Sequence, residues 1–176
     1  SIKGSGKIQL EKDFDEIDYL ISKINDKVNF DTNLSVNKTS FQIKKINYKK
    51  EKNSKLQLTM SGNYEKTKGL VLDQFVILTK KNKIKLNNLL VDRYKRIIKF
   101  DELNLDFFDV ENKRNKLTLK RVKKNNYELN GSIFNANRLI DDLLKSKEDK
   151  HYRIFKHNLN LNLNLTEVYI DDSNIL

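Results

Sequence analysis

Apolar and polar residues alternate with a period of two along most of this chain. Phe30, Thr32, Leu34 and Val36 fall on one side of a polar set. Phe41 and Ile43, Ile46 and Tyr48, and Leu56, Leu58 and Met60 repeat the pattern. Leu70 and Leu72 lead into Phe75-Val76-Ile77-Leu78, and Ile84 and Leu86 follow. Phe100, Leu103, Leu105 and Phe107 continue it, then Leu117 and Leu119, then Tyr127 and Leu129. The clearest run is Leu159, Leu161, Leu163 and Leu165, with Asn160, Asn162 and Asn164 between them. Successive side chains of a strand point to opposite faces, so each run predicts a strand that is apolar on one side and wet on the other. One-sided strands suit an antiparallel sheet, because strands buried on both faces read as unbroken apolar runs.

The breaks are short and polar: Asn25-Asp26, Lys80-Lys81-Asn82, Asn112-Lys113-Arg114-Asn115 and Lys124-Asn125-Asn126. Asn and Asp tolerate positive φ and favour tight turns. Runs recur about every 8 to 14 residues, which fits consecutive hairpins and leaves no room for helical crossovers. The predicted fold is mainly β, an antiparallel meander.

One segment predicts a helix. Ala136, Leu139, Ile140, Leu143 and Leu144 share a helical face, Asn135 suits the N-cap, and Lys145 and Lys147 suit the C-terminus, giving a short amphipathic helix near 136–146. The stretch 13–25 reads two ways. Asp13 and Glu16 make a capping box before Phe14, Ile17, Leu20, Ile21 and Ile24; equally, Ile17, Tyr19 and Ile21 alternate into the Asn25-Asp26 turn, and the strand reading is preferred. Lys7-Ile8-Gln9-Leu10 lies in a strand at one end, and another strand run lies close to Ile175-Leu176. The expectation is a single fragment, residues 1–176, of a longer repetitive β-sheet protein whose strands continue beyond both ends.

Composition narrows the chemistry. There is no Cys, which removes disulfides, thiolate metal sites and cysteine catalysis, and no Pro, which removes proline-rich linkers. Two His, at 151 and 157, make a poor metal pair, so no metal and no cofactor are expected. No apolar run reaches the roughly 20 residues of a spanning helix. The net charge of +11 comes from 35 Lys and Arg against 24 Asp and Glu, and 23 Asn accompany it. A Lys/Asn/Ile-rich vocabulary is also what an AT-rich genome supplies, so the charge alone names no partner.

No catalytic constellation stands out. Asp141-Asp142 and Asp171-Asp172 are sequence neighbours, which point apart on either a helix or a strand. Gly4-Ser5-Gly6-Lys7 has the glycines of a phosphate loop but precedes a strand rather than a helix. The chain is therefore not expected to be an enzyme. Nucleic-acid binding is an alternative at this charge, but the aromatics do not interleave with Lys as a base-stacking platform, so a nucleic-acid partner is not the expectation.

The sheet carries more apolar surface on one face than a single short helix can cover. Three outcomes are open: a sandwich, a closed barrel, or an open trough whose floor binds a ligand. In the trough, the lining candidates are Leu58, Met60, Leu72, Ile84, Leu86, Phe100, Leu103, Leu105, Phe107, Leu117, Leu119, Leu129, Leu159, Leu161, Leu163 and Leu165. In the sandwich, the same residues are a dry core.

The order of elements adds a resemblance. Leu56 to Met60, Gly69 to Asp73, Asn82 to Leu86, Ile98 to Leu105 and Lys116 to Arg121 precede the string Tyr127-Glu128-Leu129-Asn130-Gly131-Ser132-Ile133-Phe134-Asn135-Ala136-Asn137-Arg138-Leu139-Ile140-Asp141-Asp142-Leu143-Leu144, an alternating strand, a glycine and a Leu-rich short helix. Upstream, Phe41 to Lys50 is a strand ending in an aromatic and Lys. Over about residues 4–170 this resembles the AsmA-like C-terminal region of the YhdP/TamB-type bacterial envelope proteins, departing from it where Asn137-Arg138 replaces the frequent Pro. The resemblance implies a taco-like β-sheet groove in the periplasm, tethered to the inner membrane by a segment outside this fragment. It implies phospholipid acyl chains carried between the inner and outer membranes. A structural β-domain of an envelope or outer-membrane-assembly protein, with a closed core, is the alternative.

Overall fold

The computed structural model describes residues 1–137 and 155–170. Thirteen strands occur in this part: β1 (Ile2–Leu10), β2 (Asp13–Ile24), β3 (Lys27–Val36), β4 (Phe41–Ile43), β5 (Tyr48–Lys50), β6 (Leu56–Glu65), β7 (Gly69–Leu78), β8 (Lys83–Val91), β9 (Ile97–Lys99), β10 (Glu102–Phe108), β11 (Arg114–Lys123), β12 (Asn126–Asn135) and β13 (Asn160–Tyr169). The stretch 13–25 is a strand into a turn, with Asn25 at φ 53°. Asn112 and Asn125 also take positive φ at the predicted turns. The expected helix near 136–146 lies outside the described residues, apart from its first two.

Eleven strands form one open sheet in the order β1-β2-β3-β6-β7-β8-β10-β11-β12-β13, with β9 paired to β8 beside β10. β1 and β13 are its edges. The pairing is antiparallel from β1 to β12, as the hairpin spacing predicts.

The meander is corrected in two places. β13 pairs with β12 in parallel. Antiparallel neighbours need only a tight turn; here 24 residues, 136 to 159, separate the two strands, which is the length a parallel return requires. Second, β4 and β5 leave the sheet as a separate two-stranded ribbon joined by a 3₁₀ turn at Lys44–Ile46. The main sheet closes behind them through the Val36–Leu56 pair.

Two bulges keep the apolar residues on one face. In β7 the apolar positions change from even (Leu70, Leu72) to odd (Phe75, Ile77), and in β8 from Ile84, Leu86 to Leu89, Val91. The register against β6 shifts between Ser61 and Gly62, leaving Asp73 as the extra residue, and Asn88 answers in β8 with φ 52°. Leu72 then stands opposite Leu89 on the same side as Phe75 and Leu86. A Cβ at Gly62 would fall 2.1 Å from the Val71 carbonyl oxygen, so only glycine fits opposite this bulge.

Candidate functional site: the apolar face of the sheet

Cross-strand partners share a face, so the pairing register assembles the apolar side row by row. The first row runs Ile17–Leu34–Leu58–Ile77 and continues Ile84–Leu105–Leu117. The second runs Tyr19–Thr32–Met60–Phe75–Leu86 and continues Leu103–Leu119–Leu129–Leu163. With strands about 4.8 Å apart, this row extends roughly 40 Å across the sheet. A third row sets Ile21, Phe30, Gly62, Leu72 and Leu89 side by side.

The rows differ in exposure. Leu58, Ile77, Ile84, Leu105 and Leu117 are buried, in one cluster with Val36, Tyr48, Leu56, Phe107 and Leu129. Phe41, Ile43 and Ile46 of the β4–β5 ribbon pack against this cluster, and Tyr48 meets Phe107 edge to face with ring centroids 5.6 Å apart. The ribbon is thus a cover over one end of the apolar face. Beyond it, Met60, Leu72, Phe75, Leu86, Leu103 and Leu119 are half-buried, and Leu161 and Leu163 are exposed at the β13 edge.

Buried polar groups hold the cover in place. Asp15 shares the parity of Ile17 and Tyr19 in β2, which puts it on the apolar face, and it accepts the backbone N–H groups of Asn37 (2.6 Å), Lys38 (2.8 Å) and Thr39 (3.1 Å), where the chain leaves β3. Burial pushes its carboxyl up, but hydrogen bonds from Thr39 and these amides outweigh it and hold the pKa at about 2. The buried Lys50 ammonium donates to the carbonyls of Thr39 (2.6 Å) and Asn37 (3.2 Å), and its burial lowers its pKa against the pull of Asp15. At the β10–β11 turn, Asp109 accepts the backbone N–H groups of Glu111 and Lys113 (2.9 Å each) and the Asn135 side-chain amide (2.7 Å). The Val110 N–H donates to Asn47 in the ribbon at 3.1 Å, tying this turn to the cover.

The opposite face is wet and hydrogen-bonded along its own rows. Lys85, Asn104, Thr118, Asn130 and Asn164 stand side by side. Thr118 donates to Asn104 at 2.7 Å and Asn164 to Asn130 at 3.3 Å.

The candidate lining residues therefore separate. Leu58, Ile84, Leu105, Phe107 and Leu117 belong to the buried core, and Leu129 is at its margin. Phe100 is off the rows: it is buried in the break between β9 and β10, where its N–H donates to the Tyr127 hydroxyl (3.2 Å) and its carbonyl accepts from that hydroxyl (3.1 Å). Leu159 precedes β13, while Leu161, Leu163 and Leu165 share a face, partnering Tyr127, Leu129 and Gly131. Met60, Leu72, Leu86, Leu103 and Leu119 make the accessible floor. Sequence reading missed Tyr19, Phe75 and Leu89 of the same rows. Tyr19 alternates with Ile17 and Ile21, and the parity change in β7 and β8 marks the other two.

Among the described residues there is no group of three or more His, Cys, Asp or Glu placed to hold a metal ion, and no helix long and apolar enough to cross a membrane. No family model, no curated protein and no solved structure matches this chain.

Proposed function

We propose that this chain is a segment of a bridge-like lipid carrier that shelters phospholipid acyl chains on the apolar face of its sheet. In this reading the sheet curls into a trough across the periplasm, and the rest of the protein reaches the inner and outer membranes. The role is non-catalytic, uses no cofactor and involves no nucleic acid. One observation carries the proposal: the second apolar row, unbroken except for Thr32 across nine strands, is half-buried rather than dry along most of its length. Sheltering an acyl chain there gains about 0.8 kcal/mol per buried CH₂. Headgroups would remain in water at the strand ends, where Lys66, Lys68 and Lys124 sit in turns and Lys123 ends β11.

A second reading is a structural β-domain of an envelope protein. The dry cluster beneath the β4–β5 ribbon favours it for that end of the sheet. Photo-crosslinking in cells separates the two. Crosslinkers at Leu86, Leu103 and Phe75 should capture phospholipid, and those at Gln57, Lys85 and Lys120 on the opposite face should not. Equal capture on both faces, or none on either, leaves the structural reading.

A further inference from the structure

The second apolar row borders an ion pair that its packing does not require. Arg121 is two residues beyond Leu119 on β11, so it points to the apolar face, opposite Tyr127 and within about 7 Å of the row. Its backbone N–H donates to the Asp101 carbonyl at 2.8 Å, which brings the two side chains together. The pair is loose: Arg121 Nη1 lies 3.5 Å from Asp101 Oδ1, and the side chains are 27% and 44% exposed. The other Asp101 oxygen accepts from Asn88 Nδ2 at 2.9 Å, which the positive φ of Asn88 in the β8 bulge permits. Arg121 Nε is buried without a hydrogen-bond partner. The guanidinium therefore has donor capacity that its contact with Asp101 leaves unused.

We propose that Arg121 and Asp101 receive the headgroup of a zwitterionic phospholipid, the guanidinium taking the phosphate and the carboxylate the ammonium, while the acyl chains lie on the Leu103–Leu119 row. The inference rests on the reading of the apolar face as a lipid site. The charges match without remainder, because one ion pair is exchanged for two. Opening a half-exposed pair at this distance costs little. Turning from Asp101 to the phosphate takes Arg121 Nε out of the buried position in which it lacks an acceptor. A headgroup with a phosphate and no ammonium would place its negative charge beside Asp101 uncompensated, so the pair discriminates against it.

The test loads the intact protein from vesicles with equal parts of phosphatidylethanolamine, phosphatidylglycerol and diacylglycerol, and quantifies bound lipid by mass spectrometry. The wild type should hold phosphatidylethanolamine over phosphatidylglycerol by fivefold or more. Asp101→Asn should bring that ratio near one by lowering phosphatidylethanolamine, with diacylglycerol binding unchanged. Arg121→Gln should lower both phospholipids by fivefold or more and leave diacylglycerol bound, and Arg121→Lys should restore part of the loss. Unchanged melting temperatures establish that the variants fold, as their half-exposed positions lead one to expect. Wild-type ratios and amounts in both variants would overturn the headgroup site while leaving lipid on the apolar face. No lipid of any class on the wild type would overturn the apolar-face reading and this inference with it.

Discussion

The two ends of the apolar face are built from the same kind of strand and differ in what lies over them. Beneath the β4–β5 ribbon, Val36, Leu56, Ile77 and Phe107 are fully buried and Tyr48 completes the packing. One row further along the same strands, Met60, Phe75, Leu86 and Leu103 keep part of their surface in water. Alternation is identical in both places. The hydrophobic effect drives apolar surface from water but is non-directional, so the same pattern yields a core or a floor depending on what arrives to cover it. The covered end also contains Asp15, Lys50 and Asp109, each buried and hydrogen-bonded. The uncovered row contains no such group, and the part-exposed Arg121 and Asp101 lie beside it rather than in it.

The largest expected effect tests this division directly. Phe107→Ala removes a ring with no exposure and leaves a void beside Tyr48, at a cost of about 3–5 kcal/mol, whereas Phe75→Ala on the same face should cost about 1 kcal/mol. Urea denaturation of the two variants measures both. Equal costs would mean that the second row is as dry as the first.

Next in size is the anchor of the cover. The pKa of Asp15 falls from 3.8 when unfolded to about 2 when folded, so its stabilising contribution is fully present above about pH 4 and is lost as pH falls through 2. That difference corresponds to about 2 kcal/mol. Asp15→Asn should therefore be less stable than wild type by about this amount at neutral pH, with the gap closing in acid. A gap independent of pH would assign the effect to packing. The variant also leaves the buried Lys50 without its opposite charge, which adds to the loss.

The smallest effects concern backbone fit. Gly62→Ala places a methyl group against the Val71 carbonyl oxygen opposite the β7 bulge and should destabilise by about 2 kcal/mol. Gly6→Ala in β1 meets nothing within 4 Å and should change stability by less than about 0.5 kcal/mol. Thermal melts of the pair check whether the bulge, rather than strand glycine in general, is what demands the missing side chain.

Much of this architecture was legible in residue order. Period-two alternation named nearly every strand and sorted Leu161, Leu163 and Leu165 from Asn160, Asn162 and Asn164, because side-chain direction in a strand is a local property of the backbone. Asn25, Asn112 and Asn125 marked turns through their tolerance of positive φ, which is equally local. The parity changes within β7 and β8 carried the bulges as well, for the same reason.

Three features were decided only by tertiary structure. Phe41, Ile43 and Tyr48 alternate like the other strands, yet they fold over the sheet instead of joining it, since β3 pairs directly with β6 down to Val36 and Leu56 and leaves them outside. β13 reads like an antiparallel neighbour but adds in parallel, because direction depends on the length and path of the connection rather than on side-chain pattern. The division of the apolar positions into buried core and accessible floor depends on long-range contacts with the ribbon. Alternation states which way a side chain points; only the assembled sheet determines what it meets there.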